Sequence, residues 1–195
     1  MLRELFPNTK FLLASKSPRR QELLKGLDID FEIVQIEADE SFPENLVRQE
    51  ITEFISQSKS EAFRKLNPNE ILITADTLVW LNNEILGKPQ SYEEAFQMLS
   101  RLSGATHEVF TSVTLKSFSN SLSFSETTEV IFDKISEEEI HYYLNNYKPF
   151  DKAGAYGIQD WLGYTKINRI QGCYYNVMGL PLRKLYQALQ IFQTK

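Results

Sequence analysis

Cysteine is almost absent: Cys173 stands alone, so no intrachain disulfide can form and nothing in the composition points to an oxidising compartment. A reducing cytoplasm is the expected location. Histidine is nearly as scarce. His107 and His141 lie far apart with no cysteine companions, which argues against zinc and leaves magnesium or manganese on carboxylates open; both are read as surface or strand-end residues. No apolar run approaches the roughly 18 to 20 residues that span a bilayer, and segments such as Phe11 to Ala14 are far shorter. Met1 to Lys10 carries neither the apolar core nor the cleavage site of an export signal, so neither membrane insertion nor export is expected. Basic residues are in the minority, 21 against 26 acidic for a net charge of −5, which opposes broad adhesion to nucleic acid but permits a local basic pocket for phosphate. Repeats, low-complexity tracts and interdomain linkers are missing too.

What is present fits one globular domain over residues 1–195, with 42% apolar and 24% charged residues. Phe11 to Ala14 reads as a buried strand handing over to a helix at Pro18 to Lys25, capped by Ser17 and stopped by Gly26. A strand at Phe31 to Ile36 and a long helix from Glu44 to Leu66 follow, and then a strand at Ile71 to Thr74. Leu78 to Leu81 and Glu84 to Leu86 flank Asn82-Asn83 as a two-residue hairpin. Ser91 with Glu94 makes a capping box for a helix carrying Tyr92, Ala95, Phe96, Leu99 and Leu102, and Ser136 with Glu139 opens another to about Asn146. Between them, Val109 to Leu115 and Ser123 to Phe132 read as a hairpin whose loop is Ser117 to Ser121. Strands near Tyr156 to Ile158 and Thr165 to Ile170 and a closing helix after Pro181 complete the chain. The central hairpin breaks strict βαβ order, so an α/β fold with a mixed sheet is expected.

Several segments carry chemistry. Ser15-Lys16-Ser17-Pro18-Arg19-Arg20 sets hydroxyls, free backbone N–H groups and two guanidinium groups at a helix start, a cradle for phosphate; its bland counterpart is a capped helix with solvated arginines. Asp76, read as following the strand that ends at Thr74, stands where ligands gather in open α/β sheets, to hold a metal or take a proton from water, although a lone aspartate there is more often a turn residue. Gly87-Lys88-Pro89 adds a lysine at a bend but is no Walker motif. Asp151 to Gln159 packs small residues around two glycines, with Gln159 offering a paired donor and acceptor to a base edge or else lying exposed. Glu37, Asp39 and Glu40 form an acidic cluster, ordinarily a solvated loop but able to supply oxygen ligands. Tyr174, Tyr175 and Phe96 are read as core packing rather than base stacking.

Taken together these segments resemble the Maf family, first known as septum-formation inhibitors. The opening Leu13-Ala14-Ser15-Lys16-Ser17-Pro18-Arg19-Arg20-Gln21-Glu22-Leu23-Leu24 is followed, in the family's order, by Ala75-Asp76-Thr77, Leu86-Gly87-Lys88-Pro89, Leu102-Ser103-Gly104, Asp151 to Gly157 and Gly179-Leu180-Pro181. The resemblance implies a single α/β domain with a long mixed sheet flanked by helices around a deep cleft, as in inosine triphosphate pyrophosphatases. It also implies cleavage of a nucleoside triphosphate to monophosphate and pyrophosphate with a divalent cation, Mg²⁺ or Mn²⁺. Asp76 matches the family's proton acceptor, and Glu40 and Asp76 its expected metal ligands. Ser15, Arg19, Arg20, Lys59 and Lys88 match its phosphate contacts. Arg19, Thr77 and Gln159 fall on positions separating substrate classes, in a combination similar to the branch acting on dTTP and UTP. A glutamine amide suits either pyrimidine, accepting from ring N3–H and donating to a ring carbonyl. Homodimerisation is a family-level expectation. Ser60, where alanine commonly follows the lysine, and Asp160-Trp161, where many relatives carry glycine, depart from the pattern. The competing readings are a division regulator that acts by binding, and an enzyme preferring 7-methyl-GTP or another purine.

Overall fold

The computed structural model describes residues 2–192. In chain order these form α1 (Leu2–Leu5), β1 (Lys10–Leu13), α2 (Pro18–Lys25), β2 (Phe31–Ile33), α3 (Gln49–Ala62), β3 (Glu70–Leu81), β4 (Glu84–Leu86), α4 (Tyr92–Leu102), β5 (Thr106–Lys116), β6 (Ser121–Phe132), α5 (Glu137–Tyr147), a 3₁₀ turn (Ala153–Ala155), α6 (Trp161–Lys166), β7 (Ile167–Gln171), α7 (Tyr174–Val177) and α8 (Leu182–Ile191). Seven strands make one sheet in the order β2-β1-β3-β5-β6-β7, with β4 also on β3. It is mixed, as the central hairpin implied. β1 runs parallel to both β2 and β3, whereas β4 is antiparallel to β3 and β7 to β6.

The chain divides into two compact units. The first holds residues 2–76, 111–126 and 179–192 of the described chain. There β1 is apolar and buried from Phe11 onward, as expected of a parallel strand covered on both faces, and Leu12, Leu66 and Leu72 pack with Val34 and Phe63. Helix α3 buries Ile51 and Ile55 and also meets the sheet through hydroxyls. Thr52, Ser56 and Ser60, four residues apart and so on one helix face, are all buried. Thr52 Oγ1 bonds Ser112 Oγ at 2.6 Å, Ser56 Oγ bonds Thr114 Oγ1 at 3.1 Å, and Thr74 Oγ1 donates to the Ser56 carbonyl at 2.6 Å. A buried hydroxyl is costly without a partner, so this seam stabilises only one register of the helix on the strands. Lys59, on the same helix, is thereby set in place.

The second unit holds residues 77–110 and 127–178, and its core gathers Leu99 and Leu102 of α4, Ile140, Tyr143 and Leu144 of α5, and Val79, Val109 and Phe132 of the strands. The box at α5 forms completely: Glu139 N–H donates to Ser136 Oγ, and Ser136 N–H to the Glu139 carboxylate. At α4 it is half made. Ser91 Oγ accepts from Glu94 N–H, but the Glu94 carboxylate accepts from Gln90 N–H, one residue earlier.

The structure corrects several boundaries. The helix expected over Glu44 to Leu66 is confined to Gln49–Ala62, because Arg48 has a φ of 58°, outside helical space, and Phe63 turns extended. Beyond it, Arg64 and Asn67 fold onto the buried carboxylate of Glu70, which ends the helical run. The strand expected to reach Ile36 stops at Ile33. The strand expected at Tyr156 to Ile158 does not form, since Gly154 and Ala155 just before it take positive φ and the chain turns into α6, whereas the strand expected near Thr165 to Ile170 forms as β7, shifted to Ile167–Gln171. The pieces expected at Ile71 to Thr74 and Leu78 to Leu81 are one strand, β3, so Asp76 and Thr77 lie in mid-strand, not beyond its end.

Candidate active site

Asp76 owes its position to a change of partners along β3. β1 accompanies β3 only as far as Leu13, opposite Ile73, with Ala14 N–H still donating to the Ile73 carbonyl; β4 takes up the same edge from Val79. In the interval the Ala75 carbonyl accepts from Arg20 Nη1 at 2.9 Å. Arg20 Nε donates at the same time to the Gly179 carbonyl at 2.8 Å. One guanidinium thus ties α2, β3 and the Gly179 turn together. Loss of hydration pulls its pKa below the ordinary arginine range, attraction to Asp76 opposes this, and repulsion from Arg19 adds to it.

The loop before α2 forms as the sequence implies. Ser17 caps the helix by accepting from Arg20 N–H, and Pro18 takes the first helical position. Ser15 is buried, its hydroxyl accepting from Ser17 N–H at 3.2 Å and its carbonyl from Gln21 Nε2 at 3.3 Å. From α3 the Lys59 ammonium reaches two carboxylates at once, 2.8 Å from Asp76 Oδ1 and 2.8 Å from Glu40 Oε1. The lysine and aspartate side chains are each 15% exposed and that of Glu40 53%. Of the acidic cluster, Asp39 is folded into its own turn through Ser41, and Glu40 is the member that reaches the lysine. The first unit therefore assembles Ser15, Arg20, Glu40, Lys59 and Asp76, with Arg19 within electrostatic range of Arg20.

No group of three or more carboxylate, histidine or cysteine side chains able to hold a metal occurs among the described residues. The donor set is nevertheless of the right kind: Glu40 and Asp76 already direct one oxygen each at a single cationic centre, and Mg²⁺ is commonly held by one or two carboxylates plus substrate phosphates and water.

The second unit carries Thr77, Lys88 and Gln159. Lys88 is exposed at the bend after β4, and the Gly87 carbonyl before it accepts from Gly154 N–H at 3.0 Å, which ties this bend to the glycine-rich turn. That turn requires its glycines. Gly154 has a φ of 68° with Val79 3.1 Å from where a Cβ would stand, and a Cβ on Gly157 would lie 2.5 Å from Asp160 Oδ2. Tyr143, buried on α5, accepts from Gly157 N–H at 3.0 Å and donates to Asp160 Oδ2 at 2.9 Å. Burial pushes its pKa up, so it stays a donor. Gln159 is half-buried rather than exposed, and its Oε1 is buried with no hydrogen-bond partner.

Sequence reasoning missed Tyr143; an aromatic hydroxyl on the apolar face of α5 was its only signal. His107 lies at the start of β5, a strand-end residue as read, but its burial at 2% exposure was not foreseen, whereas His141 is exposed on α5. Phe96 packs against the core as expected. Tyr174 and Tyr175 do not, at 38% and 46% exposed, because the four-residue α7 leaves both rings in contact with solvent.

A mixed α/β sheet that presents a strand carboxylate, a lysine and an arginine-bearing helix start defines a class of protein suited to phosphorylated ligands. The chain belongs to the Maf family: the model described as Maf-like protein matches residues 10–192. Among similar proteins, one from Flavobacterium psychrophilum named dTTP/UTP pyrophosphatase is 54% identical over 97% of this chain and 97% of its own length. Relatives of the same name from Bacteroides thetaiotaomicron and Parabacteroides distasonis are 49% and 50% identical, over 93% and 94% of this chain and 95% and 96% of theirs. Among solved structures, the Ham1 protein of Staphylococcus aureus overlaps 64% of this chain and 72% of its own at 14% identity, with a TM-score of 0.44.

Proposed function

We propose that this protein hydrolyses dTTP and UTP, and modified pyrimidine nucleotides of the same shape, to the nucleoside monophosphate and pyrophosphate. The observation that carries the reading is the Asp76 carboxylate, held on β3 beside Lys59, Glu40 and the Arg20 guanidinium, in a chain 54% identical to a protein named dTTP/UTP pyrophosphatase. A divalent cation, Mg²⁺ or Mn²⁺, held by Glu40 and Asp76 with the substrate's phosphates, supplies charge neutralisation when bound. Asp76 accepts the proton of the attacking water as it adds to the α-phosphorus. Arg19, Lys59 and Ser15 bind phosphate oxygens. Arg20, with two of its nitrogens on backbone carbonyls, acts chiefly by holding the strand before Asp76 in place.

Base selection is proposed for Gln159, with Arg19 and Thr77. A buried acceptor without a donor costs about 1 to 3 kcal/mol, and the N3–H of uracil or thymine is a donor of the right kind for Gln159 Oε1. The test is to incubate the protein with canonical and modified nucleoside triphosphates in Mg²⁺, Mn²⁺ or EDTA and separate the products. Metal-dependent release of monophosphate and pyrophosphate from dTTP and UTP is expected. Orthophosphate as the product, or a purine cleaved far faster, overturns the reaction or the base preference respectively.

A further inference from the structure

Glu40 and Asp76, the two carboxylates assigned to the cation, are in contact with an ammonium. Lys59 Nζ lies 2.8 Å from one oxygen of each. We propose that Lys59 holds the place of the divalent cation between Glu40 and Asp76, and that the cation gains this place only when substrate phosphate draws Lys59 away. The inference rests on the functional reading above for the identity of the cation and of the phosphate.

The parts are unequal in mobility, and that gives the exchange its direction. Asp76 is held in mid-strand, its backbone neighbour Ala75 clamped by Arg20. Glu40 sits in a stretch without helix or strand and is 53% exposed, so it can adjust. Lys59 ends a flexible four-carbon stem on a helix whose backbone is pinned by the hydroxyl seam, so the ammonium can move while its Cα does not. A cation entering without nucleotide must eject a largely buried ammonium that then has neither carboxylate, and breaking such a pair is strongly unfavourable. A triphosphate supplies the missing acceptor, because it offers anionic oxygens to Lys59 as the cation takes both carboxylates. Metal and nucleotide binding then reinforce each other, and by linkage the reinforcement is reciprocal. The lysine also keeps Asp76 paired until substrate is present.

The test is equilibrium binding of Mn²⁺ alone to the intact protein, read by electron paramagnetic resonance of the free ion and by calorimetry, with no nucleotide and no turnover. Wild type is expected to bind Mn²⁺ only in the millimolar range. Lys59→Gln, or Lys59→Met should the glutamine variant not fold, is expected to bind at least tenfold more tightly, and Lys59→Arg to stay as weak as wild type. Adding Asp76→Asn to Lys59→Gln is expected to abolish the gain. Micromolar binding by wild type alone overturns the proposal without any variant, as does a folded Lys59→Gln protein with no gain. A protein that turns over no nucleotide sinks the functional reading instead, and that result comes from the separate product assay.

Discussion

Acid should weaken this protein between pH 6.5 and 4.5 through one residue, His107. Its ring lies in the core of the second unit, with edge-to-face contacts to Phe132 and Tyr156 at centroid distances of 5.2 and 5.4 Å. Nε2 pairs with the Tyr156 hydroxyl at 2.7 Å, and Nδ1 has no partner. Burial pushes its pKa down from 6.5 to about 3. The unfolded chain therefore takes up a proton near pH 6.5 that the folded chain refuses until about pH 3, and stability is full above 6.5 and lost as pH falls toward 3. At 1.36 kcal/mol per pH unit, the two units from 6.5 to 4.5 remove about 2.7 kcal/mol, a large share of a typical 5 to 15 kcal/mol. The window is informative because Glu70, whose carboxyl is held at about 2 by hydrogen bonds from Arg64, contributes its own loss only below its ordinary 4.5. The assay is urea unfolding followed by circular dichroism at pH 7, 6, 5 and 4.5. His107→Gln keeps a polar partner for Tyr156 without a titrating group, and its stability should be nearly flat over the window. Equal pH slopes for wild type and variant would refute the argument.

Further expectations concern the site and its frame. Asp76→Asn should lower kcat on dTTP by at least the ~10²-fold typical of losing a general base, and should also lower the melting temperature because the largely buried Lys59 loses a charged partner; steady-state kinetics beside a thermal melt decide this. Arg20→Lys cannot reach both the Ala75 and Gly179 carbonyls and should cost about 2 kcal/mol in urea unfolding, as expected for a lost bond from a charged donor. Gly154→Ala, forced to a φ of 68° against Val79, should cost about 2 kcal/mol by the same method. Gln159→Leu removes a buried unpaired acceptor, so it should stabilise the free protein by about 1 kcal/mol while raising KM for dTTP and UTP roughly tenfold, the equivalent of one net hydrogen bond of about 1.4 kcal/mol.

How far the site could be read in advance differed from residue to residue. Ser17, Pro18 and the arginines after them were legible because a cap and a helix start are local events decided within four residues. The second box, Ser136 with Glu139, formed for the same reason. Asp76 was legible as a carboxylate at the sheet but not as a mid-strand residue, since that depends on how far β1, remote in the chain, accompanies β3. Lys59 drew notice only through the family pattern. Its bridge to Glu40 and Asp76 spans two separations, 19 and 17 residues, that no local periodicity encodes. His107 and Tyr143 were opaque because a polar side chain's burial is set by what packs over it.

The sequence by itself determined the class of fold, the absence of disulfides, the start of α2 and the family, all of which follow from composition, short-range backbone preference or ordered motifs. Only the tertiary structure decided that Arg20 braces backbone carbonyls, that Lys59 joins two carboxylates, and that Gln159 keeps a buried acceptor unpaired. Those outcomes depend on which distant groups compete for the same donor or acceptor once water is excluded, and that competition is resolved only when the chain has packed.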